Sequence, residues 1–73
     1  MNTIYPPFPV TLGTEREVIT NPYSGEQAEL DPVAVAVYDV IKGAELLGDS
    51  ETVRKGIDWF IQHYPDAYMT LLD

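Results

Sequence analysis

Few side chains in this sequence are able to do chemistry, and their spacing limits what they can do. His63 is the single histidine, and there is no cysteine. A hydrolytic site would need His63 beside an activated nucleophile. Ser24 and Ser50 fall in a turn and at a helix start, contexts that account for them without catalysis. His63 itself is expected at the end of a helix, where an imidazolium suits the negative end of the dipole. Asp39 and Asp58 are the best pair for acid–base work, because each lies mid-helix among apolar neighbours. The plainer reading is two solvated acids, or acids paired with Lys42, Arg54 or Lys55. Two carboxylates are also too few to hold a divalent cation unaided. Gly13, Gly25, Gly43, Gly48 and Gly56 are scattered, so no phosphate-cradling or dinucleotide loop is formed. No catalytic, cofactor-binding or metal-binding residue is assigned, and the chain is expected not to be an enzyme.

The aromatic residues are more informative. They are Tyr5, Phe8, Tyr23, Tyr38, Trp59, Phe60, Tyr64 and Tyr68. Stacking on nucleic acid bases is usually accompanied by a basic groove, and the chain has four Lys and Arg in all. Aromatic residues without cations point to a core and to protein interfaces. Phe60, Tyr64 and Tyr68 are expected in the core. Trp59 is next to Phe60 and points about 100° away from it on a helix. One of the two must then face the N-terminal arm, a hairpin or a partner. Trp59 and Tyr38 are the first candidates for interface anchors, with Tyr5 and Phe8 of the arm beside them.

These residues are positioned by five stretches. Residues 1–13 carry Pro6, Pro7 and Pro9 between Ile4, Tyr5, Phe8 and Val10. That density forbids a helix and predicts an extended arm lying on its own domain or on a neighbour. Residues 14–30 read as a β-hairpin turning at Asn21-Pro22-Tyr23-Ser24-Gly25, with Gly25 suited to a left-handed position. An isolated hairpin is unstable in water, so it must dock on the helices or pair with a second copy. Residues 31–47 read as the central helix, capped by Asp31, with Pro32 in its first position and Gly48 as its stop. Val33, Val37, Val40, Ala44 and Leu47 make one apolar row; Ala34, Tyr38 and Ile41 begin a second. Two rows imply burial on more than one side, and the second row is the first place to seek a partner. Residues 49–64 form a second helix with the stripe Val53, Ile57, Phe60, Ile61 and Tyr64. Gly43 and Gly56 each cost a helix about 1 kcal/mol relative to Ala, a cost that is either tolerated or repaid by close approach to a bulky side chain such as Trp59 or Tyr38. Pro65 ends that helix, and 65–72 make a short last one that closes the core with Tyr68, Leu71 and Leu72. The fold class is therefore α+β, mainly α: one small domain with an arm and hairpin packed on a helical hairpin and a short C-terminal helix.

Seventy-three residues bury roughly 60–65% of the unfolded surface, which leaves a marginal core. Without disulfides or a metal, self-association or well-idealised packing must supply the missing stability, and a homodimer is expected. Twelve acids against four bases give a net charge of −8. Direct binding to nucleic acid phosphates is disfavoured, and attraction to basic surfaces is favoured. No signal peptide and no apolar run of membrane-spanning length is seen, so a soluble cytoplasmic protein is expected.

From residue 20 onward the chain resembles small uncharacterised proteins of tailed bacteriophages, cyanophages included. The resemblance is carried by the Asn21–Gly25 turn, Tyr38-Asp39, Lys42-Gly43, Arg54-Lys55-Gly56, Asp58-Trp59-Phe60, Tyr68-Met69 and Leu71-Leu72-Asp73. It implies a phage accessory product acting in the host cytoplasm and carries no catalytic residues. Together with charge and size, it leads to an expected function: binding and modulating a host or phage protein. In its narrower form, Glu15, Glu17, Glu26, Glu29, Asp39, Glu45 and Glu51 would imitate nucleic acid phosphates. The alternative is a self-associating structural or virion-associated minor protein.

Overall fold

A computed structural model describes residues 4–73. Met1, Asn2 and Thr3 of the expected arm lie outside the described residues. Among the described residues there are three helices and one two-stranded antiparallel hairpin, so the fold is mainly α with some β. The chain runs from the arm through β1 (Glu17–Thr20), β2 (Gln27–Leu30), α1 (Pro32–Leu47) and α2 (Ser50–His63) to α3 (Pro65–Leu71).

The hairpin is set by its turn. Asn21 Oδ1 accepts the backbone N–H groups of Tyr23 and Ser24, and Asn21 N–H donates to the Glu26 carbonyl at 2.8 Å. Gly25 takes a positive φ of 79°, which an L side chain rarely adopts. The register pairs Glu17 with Leu30 and Ile19 with Ala28, which turns Leu30, Ala28 and Ile19 toward the helices. Leu30 is fully buried. The turn is tied to the far end of the chain, because Asn21 Nδ2 donates to the Thr70 carbonyl at 2.9 Å. The hairpin thus docks on α3 and α1 of its own chain.

Helix α1 begins where its sequence says it must. Asp31 Oδ1 accepts the Ala34 N–H at 2.9 Å, and Pro32 occupies the first turn. The second carboxylate oxygen of Asp31 accepts the hydroxyl of Tyr64. One acid therefore joins the start of α1 to the junction of α2 and α3. Five successive residues, Ala34 to Tyr38, are buried, so the first turns of α1 are covered on nearly every side. Gly48 stops the helix in the left-handed conformation, with φ 73°. Asp49 then caps α2 by accepting the Thr52 N–H and hydroxyl. A connection this short makes α1 and α2 antiparallel neighbours.

At Gly56 a side chain of α1 packs directly against the backbone of α2. A Cβ there would collide with Ile41 Cγ1, stand 2.7 Å from Ile41 Cδ1 and meet the ring of Phe8 at 3.5 Å. The close approach is thus to Ile41 and Phe8, not to Trp59 or Tyr38. Gly43 has nothing within 4 Å and is tolerated cost alone. The core holds Leu30, Val37, Ile41, Trp59, Phe60, Ala67 and Leu71, with no buried polar or charged residue among the described residues.

Candidate protein-binding surface

The six residues expected at an interface divide sharply. Ala34 and Ile41 are fully buried, and Tyr38 and Trp59 nearly so. They do not stand as surface anchors, because this chain's own elements close over them. The second row of α1 is the centre of the core rather than a docking face. Phe8 is half-buried against the core, and the Tyr5 side chain is exposed.

Trp59 shows how the covering works. An indole N–H is a donor only and needs an acceptor once it leaves water. Trp59 Nε1 donates to the Tyr5 carbonyl at 2.6 Å, bringing the arm across the ring. Phe60, His63 and Tyr64 surround the indole with ring centroids 5.1, 5.5 and 5.2 Å away. Burial is the main cause that pushes the Tyr64 hydroxyl well above the ordinary tyrosine range; its hydrogen bond to Asp31 and that acid's charge add to it.

The groups considered for chemistry are not brought together. Asp39 and Asp58 are both exposed and line different clefts. Among the described residues no three His, Asp or Glu side chains gather to hold a metal ion. No helix among them is long and apolar enough to cross a membrane. Glu15, Glu17 and Asp39 share a shallow cleft between the hairpin and α1, so three of the acids considered as phosphate mimics lie on one face.

Part of the uncovered apolar surface lies at the tip of the α1–α2 hairpin; Tyr23, Tyr5, Met69 and Val18 are exposed elsewhere. Leu46 is 91% exposed and Leu47 85%. The expectation that Leu47 belongs to a buried row fails here. Across the turn, α2 offers Ser50, Glu51 and Thr52 before its first apolar residue, Val53. Ala44 in the last turn of α1 is buried, while Leu46 and Leu47 are left uncovered. Two open clefts meet at Ala44 and Asp49 beside them. One, of about 510 Å³, is lined by Ala44, Val53 and Ile57 with Glu45, Asp49, Arg54 and Asp58. The other is walled by Phe8, Val40, Gly43 and Leu47. The hydroxyl of Thr52, and then its N–H, holds the Asp49 carboxyl below the usual carboxylate range. Glu45 and Glu51 pair with Lys42 and Lys55, each at 3.5 Å, on exposed ground where such pairs contribute little. The tip therefore presents apolar side chains among acids. Reading the sequence for aromatic anchors missed Leu46 and Leu47; the available signal was two leucines directly before a Gly-Asp stop with polar residues opposite.

No protein-family model, curated protein or solved structure matches this chain.

Proposed function

We propose that this is a small acidic interaction protein that binds another protein through the tip of its helical hairpin and modulates it. The observation that carries the reading is the pair Leu46 and Leu47, exposed at 91% and 85% at the α1–α2 turn, with Leu47 walling one of the clefts there. Scattered single apolar residues need no explanation, but an apolar cluster rimmed by charge is what a docking surface looks like. The acids around it, with a net charge of −8, favour a partner whose apolar contact is edged by Lys and Arg. The setting we propose, from the resemblance above, is a phage accessory protein acting on a host or phage protein in the host cytoplasm. The acids Glu15, Glu17 and Asp39 around one cleft favour nucleic acid mimicry as a narrower form, in which the partner is a nucleic-acid-binding protein.

The experiment compares affinity capture from host lysate by wild type and by the double variant Leu46→Gln/Leu47→Gln. A specific partner is expected with wild type and lost with the variant at unchanged helical content. Equal recovery of the same partner by both would remove the tip from the reading. Mimicry predicts in addition that rising salt releases the partner. Sedimentation tests the self-associating alternative, for which the same leucines would join two copies.

A further inference from the structure

The arm is seated on the body in a way that separates it from the fold it covers. Its Tyr5 carbonyl, directly before Pro6 and Pro7, accepts the buried indole N–H of Trp59 at 2.6 Å. Three residues on, the Phe8 ring packs 3.5 Å from the point where a Gly56 side chain would begin, beside the Ile41 side chain that fills that space. Ile4 and Val10 pack against the same core. Aromatic side chains that donate to a carbonyl of an extended proline segment, with a pocket for the next large side chain, make a proline-peptide site. A proline segment suits such a site because it is already extended and leaves its carbonyls unpaired. Among the described residues, no backbone–backbone hydrogen bond ties residues 4–13 to the rest of the chain. Residues 11–16, between the docked part and β1, are all exposed.

We propose that the site at Trp59 and Gly56 binds a Pro–Pro–aromatic segment with a free carbonyl directly before it, and that in a dimer it takes the arm of a second copy. The inference does not rest on the hairpin-tip reading. The chain itself carries the segment that fits the site. Exchange keeps every contact the arm makes in one chain and costs only the freedom lost on association. Because a short tether gives the chain's own arm an effective concentration in the millimolar range, exchange rises with protein concentration.

The native chain has no cysteine, so introduced ones report cleanly. Pro9 and Gly43 line a cleft beside Phe8, next to the seated arm, and are both exposed. Full-length Pro9→Cys/Gly43→Cys treated with a short bismaleimide is expected to be joined within one chain in dilute solution. Full-length Pro9→Cys mixed with full-length Gly43→Cys at high concentration is expected to give cross-linked heterodimer in clear excess of statistical mixing. Excess peptide of the arm sequence should suppress that heterodimer, and the same peptide with Phe8→Ala should not. Failure of the double variant to close within one chain would overturn the proposal, because the arm would then not be seated as described. Closure within the chain with only statistical cross-linking in the mixture would overturn arm exchange. Suppression by both peptides alike would overturn recognition through Phe8. Saturable binding of the arm peptide without any heterodimer would overturn the second copy as the occupant and assign the site to another protein's proline segment.

Discussion

Toward its C-terminal end α2 carries Trp59, closed by the arm to 6% exposure, while the turn that leads into α2 leaves Leu46 at 91% and Leu47 at 85%. Both regions hold large apolar side chains on or beside the same helix. They differ in chemistry as well as in cover. The indole has an N–H that must be satisfied when buried, and the Tyr5 carbonyl satisfies it across 54 residues of sequence. A leucine has no polar atom to direct a covering segment. Its exposure forgoes about 1.5–3 kcal/mol of burial per side chain, which only another surface could supply. One end has thus been closed by the chain, and the other is open to association.

The largest test of this contrast is Trp59→Ala. It should lower unfolding free energy by about 3–5 kcal/mol, the usual cost of emptying a core aromatic site, and leave the arm without its polar tie. Urea unfolding followed by circular dichroism measures it, and a loss below about 1 kcal/mol would mean that the arm does not close this end. The two helix glycines give a smaller and signed test. Gly56→Ala should be destabilising by about 1–2 kcal/mol, since overpacking against Ile41 outweighs the gain in helix propensity. Gly43→Ala, with open space around it, should stabilise by about 0.5–1 kcal/mol. Equal signs in thermal melts would refute the close approach at Gly56.

Tyr64 adds a pH dependence at the covered end. Its folded pKa is raised, so the neutral hydroxyl is the form that the fold favours. Its contribution is fully present below the ordinary tyrosine value of about 10 and is lost as pH rises beyond that toward the raised folded value. Urea midpoints across the alkaline range should fall in wild type, and this component of the fall should vanish in Tyr64→Phe. The smallest effect belongs to the bare tip. Leu46→Gln/Leu47→Gln should change stability by no more than about 0.5 kcal/mol, because both leucines are already largely exposed. A large loss would show that the tip serves the fold rather than a partner.

How far the sequence could be read follows the same division between local and distant causes. The Asn21–Gly25 turn, the cap at Asp31, the Gly48 stop and the Pro65 break each depend on a few neighbouring residues, and all are found in the structure. The resulting order of hairpin, two helices and a short third could be read for that reason. The candidate site could not. Whether Trp59 faces inward depends on where the arm crosses, a contact between residues far apart in the chain. Ala34, Tyr38 and Ile41 look like a spare apolar row until Leu30, α2 and the arm are laid around them. Leu47 has the spacing of a core residue, and its exposure depends on what stands opposite it across a turn.

Asp31 has a consequence for the order in which the chain assembles. Its inner oxygen serves a contact three residues away, available as soon as the first turn of α1 forms. Its outer oxygen waits for Tyr64, thirty-three residues on, and so for chain closure. Tyr64→Phe removes only the second contact. If closure follows the rate-limiting step, that substitution quickens unfolding and leaves the folding rate alone. Asp31→Ala removes both contacts and should slow folding only to the extent that the helix start is already formed at the barrier. One carboxylate can thus separate, in a chevron plot, the birth of the central helix from the locking of the fold around it.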